Sequence, residues 1–370
     1  MAAGDASTPT RVLFASTNRG LGGQPQSLLT LLEHLPTDVV ARVAAPRGAV
    51  TSRAAGFPQV EHITVLPYDV ARPRRSRLRE AVVIAREAWQ HRRHLDAIHA
   101  NGQSELNLVA LATLVSGVPV VMWAHAAESS PTAGWLRPLW RALQRRVTCI
   151  AVSPTAAATL ASATGTPVDR VRVVANPVDP ARVVAEPVAH DGIRIAYLGQ
   201  PFEIKGFPLL GPIIERVERD DVAFDLFLSR PPANLPTELR PPWDALFKGA
   251  EGRQVSLFGQ QSDVRPIYAE TDIVLCPSRN ESFNRIAVEA MLNGIPVVAT
   301  DLPAHRTLLG DEEAGLLFPV GDAAAGAAAV TRLVDDAGLR ARLGERGRER
   351  AQAYLPERIV PQLVAAYRDG

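Results

Sequence analysis

The chain has 370 residues, 46% of them hydrophobic and 21% charged, with a formal net charge of +1. That length exceeds one ordinary core and implies two domains of a globular protein, while near-neutral charge without a nucleic-acid-binding motif argues against a DNA or RNA partner. Of the 40 basic residues only Lys205 and Lys248 are lysine; the other 38 are arginine.

The opening residues, MAAGDASTPT, are small and polar and lack the pattern of a signal peptide. From there to the end, short β-branched runs alternate with helical patterns, which is the signature of parallel α/β layers. RVLFAST at 11–17 reads as a first strand, followed by the glycine-rich loop NRGLGGQ and an apolar-periodic helix. In that loop Gly20, Gly22 and Gly23 lack a Cβ, so backbone N–H groups can approach a ligand phosphate or an acceptor. Further strands are expected at 39–45, 97–100, 118–124, 148–153 and 171–176.

Between them, residues 72–93 concentrate arginine, an arrangement that suits either an anionic membrane surface, a phosphorylated acceptor or an ordinary solvated helix face. The stretch from Leu106 to Ala124 carries no charge and approaches the length of a membrane span. Ser116, Gly117 and Pro119 cut it into a buried helix and a buried strand. His99 and His125 each close a strand; His99 is a candidate cleft residue. Cys149 and Cys276 sit near the ends of apolar runs and read as small buried thiols of a reducing, cytoplasmic protein.

The proline-rich segment VVANPVDPARVVAEPVAHDG is the natural linker and places a domain boundary near 185. Residues 1–180 hold 19 basic and 12 acidic side chains, whereas the remainder holds 21 and 27, so the two halves differ in sign. A second cycle of strands opens at 194–200 and continues at 224–229, 255–259 and 272–278. LGQPFEIKGF puts Lys205 shortly after the first of these. Asp220 and Asp221 precede a strand and read as a surface turn rather than a metal site. The chain has no G-x-G-x-x-G, Walker loop, Cys/His metal cluster or serine-nucleophile elbow.

Residues 277–300, PSRNESFNRIAVEAMLNGIPVVAT, read as loop, helix and strand. Ser282 and Asn284 can accept bonds from the first N–H groups of a helix that Gly294 ends, and Pro296 opens the next strand. The helix start is a ready site for phosphate. Glu281 precedes it and Glu289 lies within it. Ser278 and Glu281 also have capping-box spacing, and Glu289 also fits a solvated helix position.

On these residues the chain resembles the retaining GT-B glycosyltransferases of family 4. The E-x7-E spacing from Glu281 to Glu289 in its surrounding frame carries most of the resemblance, which covers nearly the whole chain. LGQPFEIKG is similar to the family's Gly-Arg-x-x-x-x-Lys-Gly segment, ANPVD at 175–179 to its Asn-Gly-Val-Asp, and AVSP at 151–154 to the strand that ends its first domain.

The resemblance implies two Rossmann-like doubly wound domains facing across a cleft, at 1–185 and 186–352, with a helix at 353–370 returning to the first. It implies metal-independent, retaining transfer from a UDP- or GDP-type sugar to a glycan, lipid-linked or small-molecule acceptor, without a cofactor, by a cytoplasmic enzyme that is soluble or peripheral at the membrane. By position, Lys205 would neutralise the leaving diphosphate, with backbone groups at Phe283 and Asn284 and the loop at Gly22 and Gly23. Glu281 would hold the donor sugar and Glu289 the ribose. His125 would lie beside sugar and acceptor, with His99 and Gly20 on the acceptor side.

Two positions depart from the family pattern. Gln200 stands where a phosphate-binding arginine is usual, a loss that Arg279 or Arg285 could offset, and Asn284 replaces a glycine, a mild change because asparagine tolerates positive φ. The missing arginine keeps a second class open: a sugar-nucleotide hydrolase or epimerase, or an inactive binding relative.

Overall fold

The computed structural model describes residues 8–18, 22–68, 73–125, 143–184, 186–217, 219–228, 244, 246 and 254–369. Gly20 and Arg72 lie outside them. Contacts divide the chain into two compact units, Met1–Val178 with Tyr354–Gly370, and Asp179–Ala353.

In the first unit, seven parallel strands run in the order β3-β2-β1-β4-β5-β6-β7. They are β1 (Thr10–Ala15), β2 (Val39–Pro46), β3 (Val60–Leu66), β4 (Ala97–Ala100), β5 (Val120–Ala124), β6 (Val147–Ala151) and β7 (Arg172–Val173). Strands β4 and β5 are buried on both faces, which is why they read as unbroken apolar runs. The crossover helices are α1 (Gly23–Glu33), α2 (Ala49–Ala54), α3 (Pro73–His91), α4 (Gln103–Ser116) and α5 (Pro154–Thr164). Helix α4 ends at Gly117 in the left-handed region (φ 76°), and β5 follows. The uncharged stretch from Leu106 to Ala124 is therefore a helix and a strand, and among the described residues no helix is long and apolar enough to cross a membrane.

The second unit repeats the plan with β10-β9-β8-β11-β12-β13. Its strands are β8 (Ile193–Gly199), β9 (Val222–Leu228), β10 (Gln254–Phe258), β11 (Ile273–Cys276), β12 (Val297–Thr300) and β13 (Gly315–Phe318). The helices are α6 (Phe207–Arg216), α7 (Arg265–Ala269), α8 (Arg285–Leu292), α9 (Pro303–Leu309), α10 (Ala323–Asp335) and α11 (Ala337–Ala351). Its core gathers Phe207, Leu210, Phe224, Leu275 and Phe318 between sheet and helices. In each sheet the order reverses beside the first strand, between β1 and β4 and between β8 and β11. Open α/β sheets bind ligands at such switch points, beyond the strands' carboxyl ends.

The last helix, α12 (Pro356–Arg368), belongs to the first unit. Tyr367 Oη lies 2.9 Å from His99 Nδ1, and Arg368 pairs with Asp38 at 2.6 Å. The first unit ends at Val178 rather than near 185, because the following residues bond to the second: Val184 N donates to Asn293 Oδ1 at 2.7 Å, and Arg182 reaches Glu289. The strand expected over 171–176 is only Arg172–Val173, since its continuation runs into Pro177. Cys149 and Cys276 are buried thiols, pushed up by burial to about 11 and about 12.

Candidate functional site

In the second unit the loop after β8 and the loop after β11 are tied together. Arg279 N donates to Ile204 O at 2.9 Å. Gly206 takes φ +71°, and a Cβ there would collide with the carbonyl of Pro277, so only glycine lets these loops close up. Their closure brings Lys205 to Glu281: Lys205 Nζ donates to Glu281 Oε1 at 2.8 Å, and Ser278 Oγ donates to the same oxygen at 2.9 Å. Both bonds fall on Oε1. The lysine keeps about a third of its side chain exposed, at 35%, whereas the glutamate is nearly covered at 9%. A partly exposed ammonium at the switch point can be drawn to an incoming anion.

Helix α8 starts four residues beyond Glu281, and Asn284 caps it, as expected, while the turn around it differs from expectation. Asn284 takes φ −97°, not a positive φ, and its Oδ1 accepts from Ala287 N at 3.1 Å. Ser278 and Glu281 therefore form no capping box. Since Oδ1 is the acceptor, Asn284 Nδ2 faces His305 Nε2 as donor at 3.0 Å. His305 then carries its proton on Nδ1, which donates to Thr300 O at 2.7 Å. Burial holds His305 below the ordinary histidine range, in keeping with that neutral tautomer. Phe283 is half-buried in the turn before the cap.

Glu289 is not a solvated helix residue; it is 1% exposed. Tyr268 Oη donates to it at 2.9 Å, Arg285 Nη2 at 3.3 Å and Arg182 Nη1 at 3.4 Å. Arg285 is thus committed to Glu289 rather than available to replace an arginine at Gln200. Arg279 is exposed and pairs with Glu203 at 3.4 Å. Gln200 is exposed, and its backbone oxygen accepts from Tyr197 Oη at 2.9 Å.

In the first unit, Gly22 caps α1 and Gly23 begins it. Among the described residues a Cβ on Gly22 would meet nothing within 4 Å. His125 follows β5, and its Nε2 lies 3.1 Å from Oδ1 of the buried Asn101, which follows β4. Asn101 Nδ2 faces Gln24 O at 3.4 Å, which assigns the amide oxygen to His125 and the imidazole proton to Nε2. His99 is no cleft residue. It is wholly buried among Phe14, Trp123 and Tyr367, with ring centroids 5.1–5.8 Å away, and burial pushes it down to about 3.

Tyr268, Arg182, His305 and Asn101 carried no signal in the sequence, because each reaches another site residue at least 21 positions away. Among the described residues no three His, Cys, Asp or Glu side chains gather as metal ligands; Asp221 pairs with Arg219 in an exposed turn.

Residues 21–182 match the model of glycosyltransferase family 4, and residues 192–336 match that of the glycosyl transferases group 1. The chain belongs to this glycosyltransferase family. Its fold is GT-B, with the two Rossmann-like sheets described above. A lipopolysaccharide core biosynthesis glycosyltransferase, LpsE of Rhizobium meliloti, is 38% identical over 101 residues, 27% of this chain and 29% of that protein. A D-inositol 3-phosphate glycosyltransferase of Salinispora tropica is 37% identical over 105 residues, 28% of this chain and 22% of its own length. The chain thus spans less than a third of either relative. Among solved structures, Anabaena HepE in complex with UDP and glucose superposes with a TM-score of 0.80 at 19% identity, covering 96% of this chain and 99% of that one. WaaG, a glycosyltransferase involved in lipopolysaccharide biosynthesis, gives 0.72 at 13% identity, covering 97% and 100%. At these identities the likeness is one of fold.

Proposed function

We propose that this family 4 glycosyltransferase moves a sugar from a nucleoside diphosphate donor, of UDP or GDP type, to a hydroxyl of a glycan, lipid-linked or small-molecule acceptor, with retention and without a metal. The observation that carries the reading is the Lys205–Glu281 pair at the switch point of the second sheet, four residues ahead of the α8 start. The bound UDP and glucose of the HepE structure favour a UDP-type donor.

On this reading a donor separates the pair. The diphosphate draws Lys205 away from Glu281, and the backbone N–H groups around Phe283 and Asn284 add the positive end of the α8 dipole. Charge grows on the diphosphate as the glycosyl bond breaks, so a cation there works hardest in the transition state. Glu281 is released to accept from sugar hydroxyls, with Ser278 still fixing one oxygen. Glu289 accepts from the ribose hydroxyls by giving up Arg182, whose contact is the longest of its three and comes from its most exposed partner. In the first unit, His125 serves the acceptor side, oriented by Asn101, and Gly22, without a Cβ, suits backbone contact with substrate.

A second reading, a hydrolase, an epimerase or an inactive binder, is favoured by one feature, the exposed Gln200 in place of an arginine. Mass spectrometry of products from each nucleotide sugar, with and without an acceptor mixture, separates the two. Glycosylated acceptor supports transfer; free sugar or an epimerised donor regardless of acceptor, or binding without turnover, supports the second reading.

A further inference from the structure

Helix α3 has a division of faces that the donor chemistry does not use. At about 100° per residue, Ser76, Glu80, Ile84, Glu87 and Ala88 share one side, and all are buried. The opposite side carries two neighbouring stripes. Leu78, Val82 and Trp89 form an apolar one, exposed by 66%, 52% and 51%. Arg75, Arg79 and Arg86 run alongside it, also exposed. Both carboxylates of the helix are turned inward, and Glu87 is neutralised by Arg42 at 2.6 Å. The outward face therefore presents positive charge and apolar surface with no exposed acid on the helix. Past its end, the Arg92 guanidinium lies 4.5 Å from the Trp89 ring centroid, keeping an aromatic and a cation together.

A merely solvated helix face has no reason to expose three large apolar side chains in line. A protein groove would account for the apolar stripe but leave the arginines beside it unmatched. An anionic lipid surface satisfies both at once: arginines meet headgroup phosphates, while Leu78, Val82 and Trp89 enter the boundary with the acyl chains. We propose that the outer face of α3 docks the first unit on an anionic bilayer surface, with the helix lying in the plane of the interface.

The test is co-sedimentation of the full chain with phosphatidylcholine vesicles, with and without about 30% phosphatidylglycerol. Binding is expected on the anionic vesicles alone and should weaken steeply when salt rises from about 0.1 M to about 1 M. The triple variant Arg75→Gln, Arg79→Gln, Arg86→Gln should lower partitioning at least about tenfold, and the double variant Leu78→Ser, Trp89→Ser should lower it as well, both with melting unchanged. No binding, equal binding to neutral vesicles, or indifference to either variant would overturn the proposal. Self-association that the serine variant abolishes, without vesicle binding, would assign the face to a second copy instead. Sedimentation reads no turnover, so its failure leaves the donor-site reading intact.

Discussion

Replacing Glu289 by alanine removes a carboxylate that three side chains share inside the second unit. Tyr268 donates to it at 2.9 Å, and Arg285 and Arg182 at 3.3 and 3.4 Å. Arg285 is itself buried, and burial already works against its charge. Breaking a buried ion pair from one side costs about 3–5 kcal/mol, because the remaining charge keeps its desolvation penalty. The long arginine contacts place this site toward the lower figure, and the orphaned tyrosine hydroxyl adds to it. In a unit of this size that corresponds to a fall in melting temperature of about 6–20 °C. Differential scanning calorimetry of the full chain reads it directly, and Tyr268→Phe, which removes one bond and no charge, should fall between parent and Glu289→Ala. An alanine variant melting within about 2 °C of the parent would refute the idea that Glu289 anchors this unit. The same fall means that an activity loss in Glu289→Ala must be compared with its folded fraction before it is assigned to ribose binding.

Lys205→Ala should lower turnover at least about tenfold, equivalent to about 1.4 kcal/mol, with little change in melting because the pair it breaks is partly exposed; normal turnover in steady-state assays would remove Lys205 from the mechanism. Gly206→Ala should give little soluble, folded protein, and a circular dichroism melt matching the parent would contradict the required close approach to Pro277. Acidification should destabilise the chain through His99. Its folded value near 3 lies below the ordinary histidine value, so the unfolded chain binds a proton that the folded one refuses, and stability is lost as pH falls through that window. Between about pH 7 and about pH 5 the loss from His99 is about 2 kcal/mol, and His305 acts in the same direction; urea titrations that give a flat profile there would count against both assignments. Treatment with a chelator should leave turnover largely intact, and complete loss restored by magnesium or manganese would overturn the metal-free account.

The layered architecture was legible because parallel strands buried on both faces leave continuous apolar runs, as in AIHA and VPVVMWA. Strand β3, VEHITVL, escaped because it lies at the sheet edge, where all its residues but Leu66 are exposed or half-buried and the sequence shows no clean run. Strand β13 escaped because Gly315 to Phe318 is short and follows a turn. Lysine's scarcity singled out Lys205, and the spacing of Glu281 and Glu289 singled out both glutamates. Their bonds were not readable: Lys205 and Glu281 are 76 residues apart, and Arg182 and Glu289 are 107 apart. Asn284 was legible as a helix cap, but its backbone angle was not, since a glycine-like turn and a helix cap both admit asparagine and it takes φ −97°. His99 was misread because a strand's end does not reveal its roof; Tyr367, 268 residues away, covers it.

On the proposed reading the second unit binds a nucleoside diphosphate at Lys205. Isothermal titration of the full chain with UDP, GDP, ADP and dTDP, repeated on Lys205→Ala, tests it most directly. Selective single-site binding of one nucleotide is expected, with an affinity at least about tenfold weaker in the variant. Binding of none of them, or equal affinity in the two proteins, would contradict it.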